Sequence, residues 1–265
     1  MDGIEVLIFD VFGTVVDWRT SVVKELQELG SQHKLACTHF WLDCRVRRRL
    51  SLILDSPKDW KDFAEEWRAG YMQNTRRIAN GGDGTNDTDT MHREILEEML
   101  KADRWTQVGS VLDERARAHL SYVWHRLDGW PDTVSGLYGL KKHAIVTCLS
   151  NGNLRLLAKF ADLPWDAVLS VALFDSYKPN PKVYEGALRH LSLNETPQKA
   201  AMVAAHMFDL RGAAKVGLKT IFVRRKDEKE DGVDPAGVKS KAEGGEVDLV
   251  VNSIEELVPL FDPSK

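Results

Sequence analysis

The sequence lacks most features that tie a protein of its size to a special environment. Its three cysteines, Cys37, Cys44 and Cys148, are odd in number and show no CxxC spacing, so neither a disulfide framework nor a zinc site is expected. No apolar run approaches the roughly 20 residues that span a bilayer, and no internal repeat is visible. The acidic start Met1-Asp2-Gly3-Ile4-Glu5 runs straight into a strand pattern rather than a signal peptide. Positive charge is not in excess either. A formal net charge of −4 gives no electrostatic footprint for nucleic acid. What remains, 43% hydrophobic and 29% charged residues over 265 positions, describes a cytoplasmic globular protein with room for a core and an insertion.

Five short apolar runs, at 4–9, 144–149, 201–204, 219–223 and 247–251, read as strands, and helical periodicity at 154–161, 182–191 and 210–216 separates the later ones. Near-continuous apolar strands alternating with helices predict an α/β core whose parallel sheet is covered on both faces. The interval 18–128 breaks this rhythm. It holds almost no strand pattern but has helical periodicity and many aromatics, Trp41, Trp60, Phe63, Trp67, Tyr71, Tyr122 and Trp124 among them. A crossover needs only about a dozen residues, so a helical cap subdomain at 18–128 is expected, inserted into a core made of 1–17 and 129–265. Within the insertion, the Gly-rich stretch 80–87 reads as a mobile loop. The charged stretch 225–246 reads as a solvated excursion rather than a site.

Parallel sheets bind ligands beyond the carboxyl ends of their strands. Asp10 follows the first strand, Ser150-Asn151 the second and His206 to Asp209 the third. An aspartate at a strand end is placed to act as a partly desolvated nucleophile, with Gly13 allowing a tight turn and Thr14 offering a hydroxyl. The same residues would also serve a simple capped turn. Cys148, inside an apolar run, reads as packing rather than a nucleophile.

The segment Asp10-Val11-Phe12-Gly13-Thr14-Val15-Val16-Asp17 resembles the first motif of the haloacid dehalogenase (HAD) superfamily. Three further segments follow in that family's order: Thr147-Cys148-Leu149-Ser150-Asn151-Gly152-Asn153, Tyr177-Lys178-Pro179-Asn180-Pro181-Lys182-Val183-Tyr184, and Val203-Ala204-Ala205-His206-Met207-Phe208-Asp209. Trp124-His125 and Trp130-Pro131-Asp132 look like the return from the cap in the L-2-haloacid dehalogenase branch. The resemblance implies a Rossmann-like core with a helical cap. It also implies a hydrolase that displaces halide from a small 2-haloacid through an aspartyl ester on Asp10.

Phosphatases of the superfamily place a second aspartate two residues after the nucleophile, as proton donor to the leaving alkoxide. Here that position is Phe12, which cannot donate a proton, whereas departing halide needs only stabilisation of its charge. The resemblance makes Lys178 the neutralising partner of Asp10 and gives site positions to Tyr184 and Asp209. It assigns Ser150 and Asn151 to holding the substrate carboxylate or Asp10, and Arg68 of Trp67-Arg68 to a cation for carboxylate or halide. The arginine run 45–49 is the lesser candidate for that cation. The family's Ser-Ser-Asn is replaced by Ala204-Ala205-His206, so His206 is expected to supply a general base or donor.

No metal or cofactor is expected. The rival reading, a phosphatase of small phosphoesters, would require Mg²⁺; hydrolysis of a non-halogenated acid is a further alternative. The expected partner is a small carboxylic acid, with no nucleic acid and no membrane, and family habit implies a homodimer.

Overall fold

A computed structural model describes residues 3–33, 57–160, 162–229 and 232–262. Cys37, Trp41, Cys44 and the arginine run 45–49 lie outside the described residues. The chain divides into two compact units. One comprises Met1–Asp17, Thr75–Thr88 and Asp128–Lys265; the other comprises Trp18–Asn74 and Asp89–Leu127. Among the described residues, no helix is long and apolar enough to cross a membrane.

The first unit is built on six strands: β1 (Val6–Phe9), β2 (Ile145–Ser150), β3 (Ala167–Ser170), β4 (Ala200–Ala204), β5 (Lys219–Val223) and β6 (Leu249–Val251). They form one parallel sheet in the order β3-β2-β1-β4-β5-β6. Every residue of β1 and β4 is buried, as expected for central strands covered on both faces. Five strands lie within two residues of where the sequence places them. The exception is β3, a four-residue edge strand with two half-buried positions, too short to stand out as an apolar run.

From β1 the chain builds one side of the sheet through β2 and β3, then crosses back to start the other side at β4. This reversal between β1 and β4 opens a crevice at their carboxyl ends. The register pairs Phe9 with Cys148 on one side and Val203 on the other, so Asp10 emerges at the crevice.

The helices are α1 (Trp18–Gln32), α2 (Pro57–Ala79), α3 (Thr88–Lys101), α4 (Thr106–Val111), α5 (Glu114–Ser121), α6 (Thr133–Leu140), α7 (Leu154–Leu157), α8 (Pro181–His190), α9 (Met207–Lys215) and α10 (Val258–Phe261). The second unit contains α1, the first part of α2, α3, α4 and α5. Its interior is aromatic: His92 stacks between Tyr71 and Trp124, with ring centroids 4.6 and 4.3 Å away, and Trp67 meets both His92 and Trp124 edge-on.

The Gly-rich stretch read as a mobile loop is tied to the first unit. Tyr177 donates to the Thr85 carbonyl, Asn153 to the Asp87 carboxylate, and the Thr88 hydroxyl to the Asn151 carbonyl. Its composition signals irregular backbone but says nothing about partners more than 60 residues away.

Candidate active site

The turn after β1 carries Asp10, and its backbone is held from several directions. Gly13 has φ +81°, a left-handed conformation that favours glycine. Four neighbouring groups take up the carbonyls of the turn. Trp130 Nε1 donates to Gly13 O at 3.1 Å and Arg225 Nε to Thr14 O at 2.9 Å. The Thr133 hydroxyl and the Trp130 amide both reach Val15 O. Arg225 is in turn paired with Asp132 at 2.8 Å. The segment that looked only like a return from the cap therefore braces the Asp10 turn.

Within this brace the Asp10 carboxylate meets three side chains. Lys178 Nζ donates to Oδ1 at 2.8 Å and the Thr14 hydroxyl to Oδ2 at 2.8 Å, while His206 Nδ1 lies 3.3 Å from Oδ2. Burial alone would raise the Asp10 pKa. The Lys178 ammonium and the hydrogen bond and charge of His206 outweigh it and hold the carboxyl below its usual range. Asp10 is therefore ionised, as a nucleophile must be.

Lys178 also donates to Asp209 Oδ2 at 2.5 Å. Burial opposes its charge, but the two carboxylates win and raise its pKa. Asp209, wholly buried, is shifted upward by burial and by the charge of Asp10, against the pull of Lys178. Tyr184 donates to Asp209 Oδ1 at 2.7 Å. Burial and the Asp209 charge keep its phenol protonated. The four polar groups form a chain in which Tyr184 fixes Asp209, Asp209 fixes Lys178, and Lys178 fixes Asp10.

His206 precedes α9, and its second nitrogen meets a residue the sequence reading did not select. Glu228 Oε2 lies 3.1 Å from Nε2, and the Glu228 side chain is only 1% exposed. The charged stretch 225–246 is thus no mere solvated excursion: Arg225 and Glu228 are both buried, against Thr14 and His206. Charge density suggests solvation only when charges go unpaired, and these two are paired. A cue was available, since Glu228 follows the end of β5, the strand beside β4. The fit is tight. A Cβ on Gly13 would lie 2.7 Å from Glu228 Oε2 and 2.9 Å from His206 Cε1, so glycine is required there by space as well as by φ.

Other expected site residues take different places. Asn151 Oδ1 accepts from the Lys178 amide at 2.9 Å, so it holds the loop that delivers Lys178. The Ser150 hydroxyl accepts from the Gly152 amide within its own turn. Phe12 is buried and meets Phe160 edge-on at 6.3 Å. Arg68 belongs to the second unit, where it is 6% exposed and lies 5.5 Å from the Trp18 ring and 5.3 Å from the Tyr71 ring. Trp67 and Tyr71 are buried in the aromatic interior of that unit.

Comparison with known proteins identifies the family. The chain is 33% identical to the L-2-haloacid dehalogenase PA0810, with a TM-score of 0.74 and coverage of 97% of this chain and 99% of that one. It is 29% identical to the defluorinating L-2-haloacid dehalogenase Rha0230, with a TM-score of 0.77 and coverage of 97% and 95%. By sequence it is 25% identical to (S)-2-haloacid dehalogenase 4A of Burkholderia cepacia, over 98% of this chain and 96% of the relative. Residues 4–217 match the haloacid dehalogenase-like hydrolase family, and the chain belongs to that family.

Proposed function

We propose that this protein hydrolyses the carbon–halogen bond of a small 2-haloacid to give the 2-hydroxy acid. The observation that carries the reading is the setting of Asp10. It is an ionised carboxylate held by Lys178, Thr14 and His206, with Phe12 where a phosphatase needs a proton donor. A carboxylate so placed can attack carbon, and a halide leaves without a proton.

In the first step an Asp10 oxygen displaces halide from the α-carbon, forming an aspartyl ester. In the second, water activated by His206 adds to the ester carbonyl, and collapse releases the hydroxy acid and restores Asp10. Glu228 orients His206, and Lys178 stabilises negative charge on the ester's oxygen. Arg68 is the cation proposed for the substrate carboxylate or the halide. The dehalogenase names of the relatives support the substrate class.

The rival Mg²⁺-dependent phosphatase is disfavoured by Phe12. It is also disfavoured by the Lys178 ammonium, which already bridges the Asp10 and Asp209 carboxylates. The deciding experiment measures halide release from both enantiomers of 2-chloropropionate and from chloroacetate, without added metal. Release by the native protein and none by Asp10→Asn is expected. Phosphate release from p-nitrophenyl phosphate on adding Mg²⁺, with no halide release, would reverse the assignment.

A further inference from the structure

Both ring nitrogens of His206 face carboxylates, Asp10 Oδ2 at 3.3 Å and Glu228 Oε2 at 3.1 Å. An ionised carboxylate only accepts hydrogen bonds. Both contacts are therefore satisfied together only if His206 carries a proton on each nitrogen. Such an imidazolium cannot take a proton from water.

The charges around the ring explain what unloads it. From β1 it faces Asp10; from the turn after β5 it faces Glu228, whose amide approaches the Arg225 carbonyl at 3.4 Å. Lys178 and, from α9, Asp209 are one hydrogen bond further away, joined through Asp10. The Phe208 ring stacks beside the imidazole at 5.7 Å and adds no charge. Among the charged groups on this path, Asp10 is the one whose charge the reaction changes, because esterification neutralises it.

We infer that the charge of Asp10 sets the state of His206: imidazolium while Asp10 is a free carboxylate, neutral base once Asp10 is an ester. This deepens the dehalogenase reading and rests on it. The atoms balance. Attack forms the Asp10 oxygen–carbon bond, breaks the carbon–halogen bond with its electron pair leaving on halide, and lets the Nδ1 proton pass to solvent. Neutral His206 then takes a proton from water as the oxygen adds to the ester carbonyl. It returns that proton to the departing alkoxide. The proton left on the new Asp10 carboxyl moves to Nδ1, restoring the ion pair. One proton is released per turnover, with the halide rather than with the hydroxy acid. The hydrolytic base is thus armed only after the nucleophile has been used.

The test follows the imidazole by ¹⁵N NMR in protein labelled at histidine, with the His206 signal assigned by its loss in His206→Gln. Asp10→Asn mimics the neutral ester. In the native protein His206 should show two protonated nitrogens at pH 7.5. In Asp10→Asn its proton affinity should fall between about ten- and a thousandfold, the effect of removing one adjacent opposite charge. A neutral His206 in the native protein at pH 7.5, or equal titration midpoints in the two proteins, would overturn the inference. Should Asp10→Asn not fold, Asp10→Ala makes the same comparison. The measurement needs no turnover, so absent halide release would defeat the dehalogenase reading without deciding this one.

Discussion

The two units surround their buried polar groups with different neighbours. In the first, Tyr184, Asp209, Lys178, Asp10, His206 and Glu228 are each hydrogen-bonded to the next in line. In the second, Arg68 lies against aromatic rings, His92 is stacked between two more, and the Nδ1 of His92 and the indole nitrogens of Trp18 and Trp124 have no hydrogen-bond partner among the described residues. The first arrangement maintains charge in a buried place because the Lys178 ammonium lies between the Asp10 and Asp209 carboxylates. The second suppresses it: burial, then the charge of Arg68, holds the His92 pKa well below its usual value. The first unit joins its buried charges in a chain of hydrogen bonds, and the second sets Arg68 against aromatic rings.

The comparison breaks most readily at Lys178. Replacing it with methionine leaves the buried Asp209 without a cation and Asp10 with His206 alone. Loss of turnover is expected, together with destabilisation of about 3–5 kcal/mol, read as a fall in urea midpoint. A Lys178→Met protein of native stability would show that the chain of pairs is not what holds the crevice together.

A smaller effect is expected at His92. Its unfolded form gains a proton below pH 6.5, while the buried ring resists it, so the unfolded state binds more protons as pH falls. The stability this neutral histidine allows is present above pH 6.5 and is lost on acidification, by about 1.4 kcal/mol per pH unit at most. His92→Phe should therefore flatten the decline of thermal midpoint between pH 6.5 and 5. An unchanged slope would assign the acid sensitivity to other groups.

The smallest effect sharpens the comparison from the other side. Cys148 sits in the sheet beside Phe9, the neighbour of Asp10, yet burial pushes its thiol up to about 12. At pH 8 the native protein should leave Cys148 unmodified by iodoacetamide, as read by peptide mass. Rapid labelling there would mean that the sheet opens at its centre.

Much of the first unit was legible because its signals are local. Apolar strands announce a parallel sheet, and a polar residue directly after a strand announces a site, which located Asp10, His206 and Asp209. Glu228 and Arg225 were hidden because their partners are distant in sequence: Glu228 meets His206, Arg225 meets Asp132 and Thr14. Composition reads such charges as solvated when nothing nearby pairs them. The same limit applied to the stretch 80–87, whose ties run to Asn153 and Tyr177. Ser150 stands where the sequence places it, and its hydroxyl accepts from the Gly152 amide of its own turn.

The Asp17 amide donates to the Asp128 carbonyl at 2.8 Å, so the chain's first departure from the sheet unit and its last return are joined. In evolutionary terms this is a socket. A helical module of another length or specificity fits between these two residues without altering the nucleophile's turn. The stretch Thr75–Thr88 qualifies the exchange, because it interrupts the module in sequence yet belongs to the sheet unit and bonds to Asn151, whose side chain holds the Lys178 loop. A new module therefore inherits an obligation to rebuild that strap, and swaps that preserve 75–88 are the ones the architecture favours.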